Sequence, residues 1–133
     1  MKLFVFSVIV TAALLGCSDG SSGAYEMSVE EARGKLLGAS FERGILPGSS
    51  GLRPTVIVSS EGDGSLEWHV SSNDDLAHAS GWWCPLEIKP EGQDGKKIRV
   101  LNKCRGMLAS KDNKNLDELV DATLTGRPPK FDK

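Results

Sequence analysis

Trp82-Trp83-Cys84-Pro85-Leu86-Glu87-Ile88-Lys89-Pro90-Glu91-Gly92-Gln93-Asp94-Gly95-Lys96-Lys97-Ile98-Arg99-Val100-Leu101-Asn102-Lys103-Cys104 is the stretch that decides the fold. On either side of a glycine-bearing turn, apolar side chains recur at every second position, the period of a strand with one face in a core and one in water. Trp82, Cys84, Leu86 and Ile88 share one face, and Ile98, Val100, Asn102 and Cys104 share one face of the return strand. If the loop is Gln93-Asp94-Gly95, with Gly95 in the left-handed position of a three-residue hairpin, residues whose numbers sum to 188 stand opposite each other. Cys84 then faces Cys104. The register that collects apolar residues on a common face also brings the thiols together, whereas a two-residue slip would keep the faces and lose the pair. A disulfide between Cys84 and Cys104 is therefore expected, closing a loop of about 21 residues worth roughly 3 kcal/mol in the chain-entropy account.

A second hairpin is expected upstream. Thr55-Val56-Ile57-Val58 is β-branched, Glu61-Gly62-Asp63-Gly64 has turn chemistry, and Leu66, Trp68 and Val70 alternate with Glu67, His69 and Ser71. That alternation points His69 outward into solvent. Helices flank the strands on both sides. Ser28 and Glu31 have capping-box spacing ahead of a helix from Val29 to about Leu37, with Val29, Ala32 and Leu36 on one stripe and Gly38 to end it. Leu116, Leu119, Val120, Thr123 and Leu124 form a second amphipathic stripe, with Asn113 or Asn115 as cap and Gly126, Pro128 and Pro129 as terminators. A Thr-rich end at Ala122 to Thr125 leaves a strand open there. The order helix, four strands, helix predicts an α+β domain: a small antiparallel sheet of about four strands, its apolar face covered by one N-terminal and one C-terminal helix.

The amino terminus carries a different signal. Lys2 precedes an apolar run from Leu3 to Leu15 broken only by Ser7 and Thr11, and the small residue Gly16 follows. This is the pattern of a secretory signal peptide, too short for a comfortable span of ~20 residues. Leu14-Leu15-Gly16-Cys17 resembles the lipobox of bacterial lipoproteins. The resemblance covers the first 17 residues and implies that a diacylglycerol is joined to the Cys17 thiol, that the chain is cut before it, and that the new amino group is commonly acylated. It also accounts for an odd count of three cysteines, since Cys84 and Cys104 remain as a pair. Two or more acyl chains hold a small domain on a bilayer, at about 0.8 kcal/mol per buried methylene. Ser18 stands where an Asp would be the familiar inner-membrane retention signal of enteric bacteria, so the resemblance favours the outer membrane over the inner, with the domain facing the periplasm. The expected organisation is a signal peptide over 1–16, a lipidated tether over 17–24 made mostly of Ser and Gly, and one globular domain over 25–133.

Removal of residues 1–16 takes away one Lys and no acid, leaving 15 basic and 18 acidic side chains, which offers no electrostatic footprint for nucleic acid. No nucleophile elbow, zinc-protease helix, phosphate-binding loop or Ser-x-x-Lys occurs. His69 and His78 are not at zinc spacing, so no metal and no cofactor are expected, and Glu61, Asp63, Asp74 and Asp75 read as turn and loop carboxylates. No catalytic residue is assigned. The candidate binding surface is the outward face of the 82–104 hairpin, where Trp83 lies with Glu87 and Lys89 and is joined by Lys97, Arg99, Leu101 and Lys103. An aromatic among cations can meet a sugar, an anionic polymer or an acidic protein. The functional expectation is a noncatalytic envelope lipoprotein bound to the membrane by its lipid and holding an envelope protein or polymer. A periplasmic hydrolase inhibitor, which matches in size and address alone, and an enzyme with a dispersed site are the alternatives.

Overall fold

The computed structural model describes residues 23–48, 50–59, 65–72 and 81–131. Cys17 with its lipobox, the Glu61-Gly62-Asp63-Gly64 turn, Asp74, Asp75 and His78 lie outside them. The elements in chain order are β1 (Ala24–Tyr25), α1 (Val29–Leu36), β2 (Arg53–Val58), β3 (Leu66–Ser71), β4 (Gly81–Glu91), β5 (Lys97–Asn102) and α2 (Ala109–Thr125). The fold is α+β. All strand pairs are antiparallel, in the order β1-β5-β4-β3-β2.

The β4–β5 register is the one the hairpin reading requires, with Leu86 opposite Asn102 and Glu91 opposite Lys97. Gly95 occupies the left-handed region at φ 71°. Lys103 N–H donates to the Pro85 carbonyl at 2.7 Å, which carries the pairing one step further. The next position holds the Cys84–Cys104 disulfide across a Cα separation of 4.6 Å, the spacing of a non-hydrogen-bonded pair.

Because partner numbers have the same parity throughout β2 to β5, even-numbered residues point to one side of these strands and odd-numbered residues to the other. On the even side Val56, Trp68, Val70, Cys84, Ile98 and Val100 are fully buried. The two helices cover them with Ala32, Leu36, Leu116, Leu119, Val120 and Leu124. One polar chain crosses this core: Trp68 Nε1–H donates to Asn102 Oδ1 at 2.9 Å, and Asn102 Nδ2–H donates to Asp117 Oδ1 at 2.8 Å. Asn102 thus sits on the apolar face because it satisfies an indole that would otherwise be buried without a partner.

Helix α1 begins as expected, with Ser28 Oγ accepting from Glu31 N–H at 3.1 Å. Helix α2 ends at Gly126 in the left-handed conformation and runs through Ala122 to Thr125, so no strand forms there. Its start departs from expectation. The helix begins at Ala109, and Asn113 lies inside it, with Oδ1 accepting from Cys104 N–H at 2.8 Å. The two-residue strand β1 adds a fifth strand at the β5 edge, with Ala24 opposite Arg99 and Tyr25 opposite Ile98. Tyr25 is buried and its hydroxyl donates to Asp121 Oδ1 at 2.8 Å. At the other edge, Phe41 N–H donates to the Pro54 carbonyl and Val56 N–H to the Ala39 carbonyl. Backbone therefore lies along β2 and along part of β5, and the edge left on the β5 side is the two-residue strand β1, too short to template much intermolecular pairing.

Candidate functional site

The odd-numbered side of the sheet carries the candidate binding residues. Trp83, on β4, is 46 % exposed. Its ring lies flat on the imidazole of His69 from β3, with centroids 4.0 Å apart and planes 11° from parallel, because the β3–β4 register sets the two residues directly opposite. Cross-strand aromatic pairs of this kind stabilise a sheet face and fix ring orientation. His69 was expected in solvent. It points to the outward side as the alternation requires, yet it is 1 % exposed, with Trp83 stacked on its ring. Neither imidazole nitrogen has a hydrogen-bond partner among the described residues. Burial pushes the His69 pKa below its ordinary value of 6.5, because the charged ring would lose water and gain no acceptor.

Lys97 and Arg99 share this side of the sheet with Trp83 but stand at its far end. Arg99 is opposite Lys89 and Lys97 opposite Glu91, six and eight residues along β4 from Trp83, which is about 20 and 26 Å of strand. Arg99 Nε donates to Glu91 Oε2 at 2.9 Å. Between the two ends, Lys103 Nζ pairs with Glu87 Oε1, and this hydrogen bond holds the Glu87 carboxyl below the ordinary carboxylate range. The outward face therefore has an aromatic end and a charged end, joined by ion pairs.

The charged end borders an open groove of about 850 Å³ between the start of α1 and the β4–β5 turn. Glu26, Glu31, Glu91, Asp94, Lys96 and Lys97 contribute to its walls. Glu91 is engaged by Arg99, and Asp94 Oδ1 accepts from Lys96 N–H at 3.1 Å, so two of these carboxylates serve the hairpin itself. Among the described residues no group of three or more His, Cys, Asp or Glu side chains could hold a metal ion.

One surface feature escaped the sequence reading. Met107 is fully exposed and Leu108 is 62 % exposed, on the short connection that follows the disulfide and opens α2. The signal available for it was an apolar dipeptide between Gly106 and Ala109, flanked by Lys103, Arg105 and Lys111. Comparison with protein-family models, with curated proteins and with solved structures finds no match to this chain.

Proposed function

We propose that the chain is a noncatalytic lipoprotein of the cell envelope, anchored through acylated Cys17 in the outer membrane and facing the periplasm, and that it binds or scaffolds another envelope component through the Trp83 side of its sheet. The observation that carries the binding reading is the half-exposed indole held flat on a buried imidazole. A ring fixed in this way loses little freedom on meeting a partner, and Trp is among the residues that supply most energy at protein interfaces. The lipobox supports the address, and the Ser/Gly tether supports a domain displayed at a distance from its lipid.

Crosslinking the acylated protein in its own envelope and recovering its partners tests the reading, with mass spectrometry of the mature amino terminus as the check on Cys17. Trp83→Ala should lower partner recovery severalfold, on the scale of a single interface anchor worth about 1–2 kcal/mol. An extended partner reaching the charged end would also lose recovery with Lys97→Ala and Arg99→Ala, whereas a compact one would not. Undiminished recovery with Trp83→Ala overturns the binding face, and an unmodified terminus downstream of residue 17 overturns the anchor. A recovered hydrolase silenced by the purified protein would make the scaffold an inhibitor.

A further inference from the structure

The end of the molecule that carries Met107 and Leu108 is also the end from which the amino-terminal segment departs. Strand β1 is antiparallel to β5, with Tyr25 opposite Ile98 and Ala24 opposite Arg99. The amino-terminal end of β1, at Ala24, therefore points toward the end of β5 that carries Asn102 and the disulfide. Seven residues, Cys17 to Gly23, precede β1, and their greatest extended reach is about 25 Å. Met107 lies eight residues beyond the level of Arg99, a comparable length of chain. A tether of that length is long enough for a lipid on Cys17 to reach the level of the 105–108 connection.

That connection is firmly held. Cys104 is tied to β4 by the disulfide and to α2 by Asn113 Oδ1, and Ala109 N–H donates to the Gly106 carbonyl at 3.2 Å. Gly106 takes φ 102°, a backbone conformation that side chains other than glycine rarely adopt, and so turns the chain at the tip. Leu108 stands at the N-cap of α2, with no side-chain hydrogen bond to the first turn. Leu is a poor N-cap, at about 1 kcal/mol against Ser or Asn, so the start of α2 gains nothing from a Leu at this position. Along the chain the tip is flanked by Arg105, Lys111 and Lys114 with Asp112 among them, while Lys103 is ion-paired to Glu87, although the mature sequence has an acidic excess.

We infer that the Arg105–Leu108 tip inserts into the headgroup region of an anionic bilayer, with Met107 and Leu108 entering the acyl boundary and the flanking cations meeting lipid phosphates. Exposed apolar residues ringed by Lys and Arg are the chemistry of interfacial insertion, and each cation adds about 1 kcal/mol near an anionic surface. The inference rests on the lipid-anchor reading and goes beyond it. The acyl chains fix the protein to a membrane, and the tip fixes which end faces that membrane. The β4–β5 turn, with Lys97 and Arg99 behind it, then points away.

The test uses acylated protein reconstituted into phosphatidylglycerol-containing vesicles with acyl chains either plain or brominated. Tryptophan is placed at the tip by Met107→Trp and at the opposite turn by Gln93→Trp, and the emission added over wild type is compared. Brominated lipid should quench the added emission of Met107→Trp by about twofold or more and leave that of Gln93→Trp unchanged, because only side chains at acyl depth meet bromine. Equal quenching at the two positions in protein that carries the acyl mass and floats with vesicles overturns the tip insertion and leaves the anchor standing. Protein without the acyl mass that fails to float overturns both.

Discussion

The two sides of the sheet solve the same problem in opposite ways. On the inner side, under the helices, the buried indole N–H of Trp68 has Asn102, and Asn102 has Asp117. On the outer side His69 is as deeply buried as the core residues, and neither of its nitrogens has a hydrogen-bond partner among the described residues. A paired polar group in a core specifies a fold, and an unpaired one opposes it, so the difference separates a face built for stability from one that carries a cost. The inner side is where large stability effects belong. The outer side is where small, condition-dependent ones belong.

The largest expected effect breaks the inner side at its covalent staple. Cys84→Ala opens the loop closed at Cys104 and leaves a thiol in the core, which should lower stability by roughly 3 kcal/mol under oxidising conditions. That is a large share of the ~5–15 kcal/mol available to a domain of this size, and a thermal melt reads it directly. Alkylation of both wild-type thiols without reductant would contradict the disulfide itself.

A smaller effect tests whether the polar chain matters for its bonds or only for its volume. Asn102→Leu keeps the size and removes both bonds, so the Trp68 N–H stays buried without an acceptor and Asp117 loses a donor. The expected loss is about 1–3 kcal/mol by denaturant titration, the cost of an orphaned buried donor. Near-neutral stability would mean that water replaces Asn102 at the indole.

How much of this was legible follows the same division. Parity and register in β4 and β5 came from an alternating pattern and one glycine, because a strand with a buried face allows only one phase and the turn allows only one offset. The caps at Ser28 and Gly126 were local chemistry and appeared where the residues placed them. What failed to show was decided at a distance. Strand β1 has two residues and exists because β5 offers an edge, which no window of its own sequence reveals. Helix α2 starts at a position with no capping side chain, so the sequence points instead to Asn113 or Asn115 as its cap, whereas Asn113 lies inside the helix and serves Cys104. For His69 the side of the sheet was visible and the burial was not, since burial depends on Trp83 being opposite it across β3 and β4. Trp83, Lys97 and Arg99 were correctly grouped by face but not by distance, because parity says nothing about position along a strand.

The smallest expected effect concerns that imidazole and appears only as pH changes. The folded protein holds the His69 pKa below 6.5, through burial. Above about 6.5 the ring is neutral in folded and unfolded chains alike, and the contribution of His69 to stability is complete and flat. As pH falls below 6.5, the unfolded chain takes up the proton first, so stability declines until the lower folded pKa is passed. This decline is separate from the acid loss expected as Glu118 protonates, since hydrogen bonds from Arg127 hold the Glu118 carboxyl below its ordinary value of 4.5. His69→Phe keeps a flat ring beneath Trp83 and removes the proton, so its melting temperature should stay level across the window just below pH 6.5 where that of the wild type falls. Trp83→Ala should shift the wild-type decline toward a smaller slope, because uncovering the imidazole lets it bind a proton in the folded state. Parallel pH profiles for wild type and His69→Phe would show that the outer side carries no such cost and would remove the contrast between the two faces.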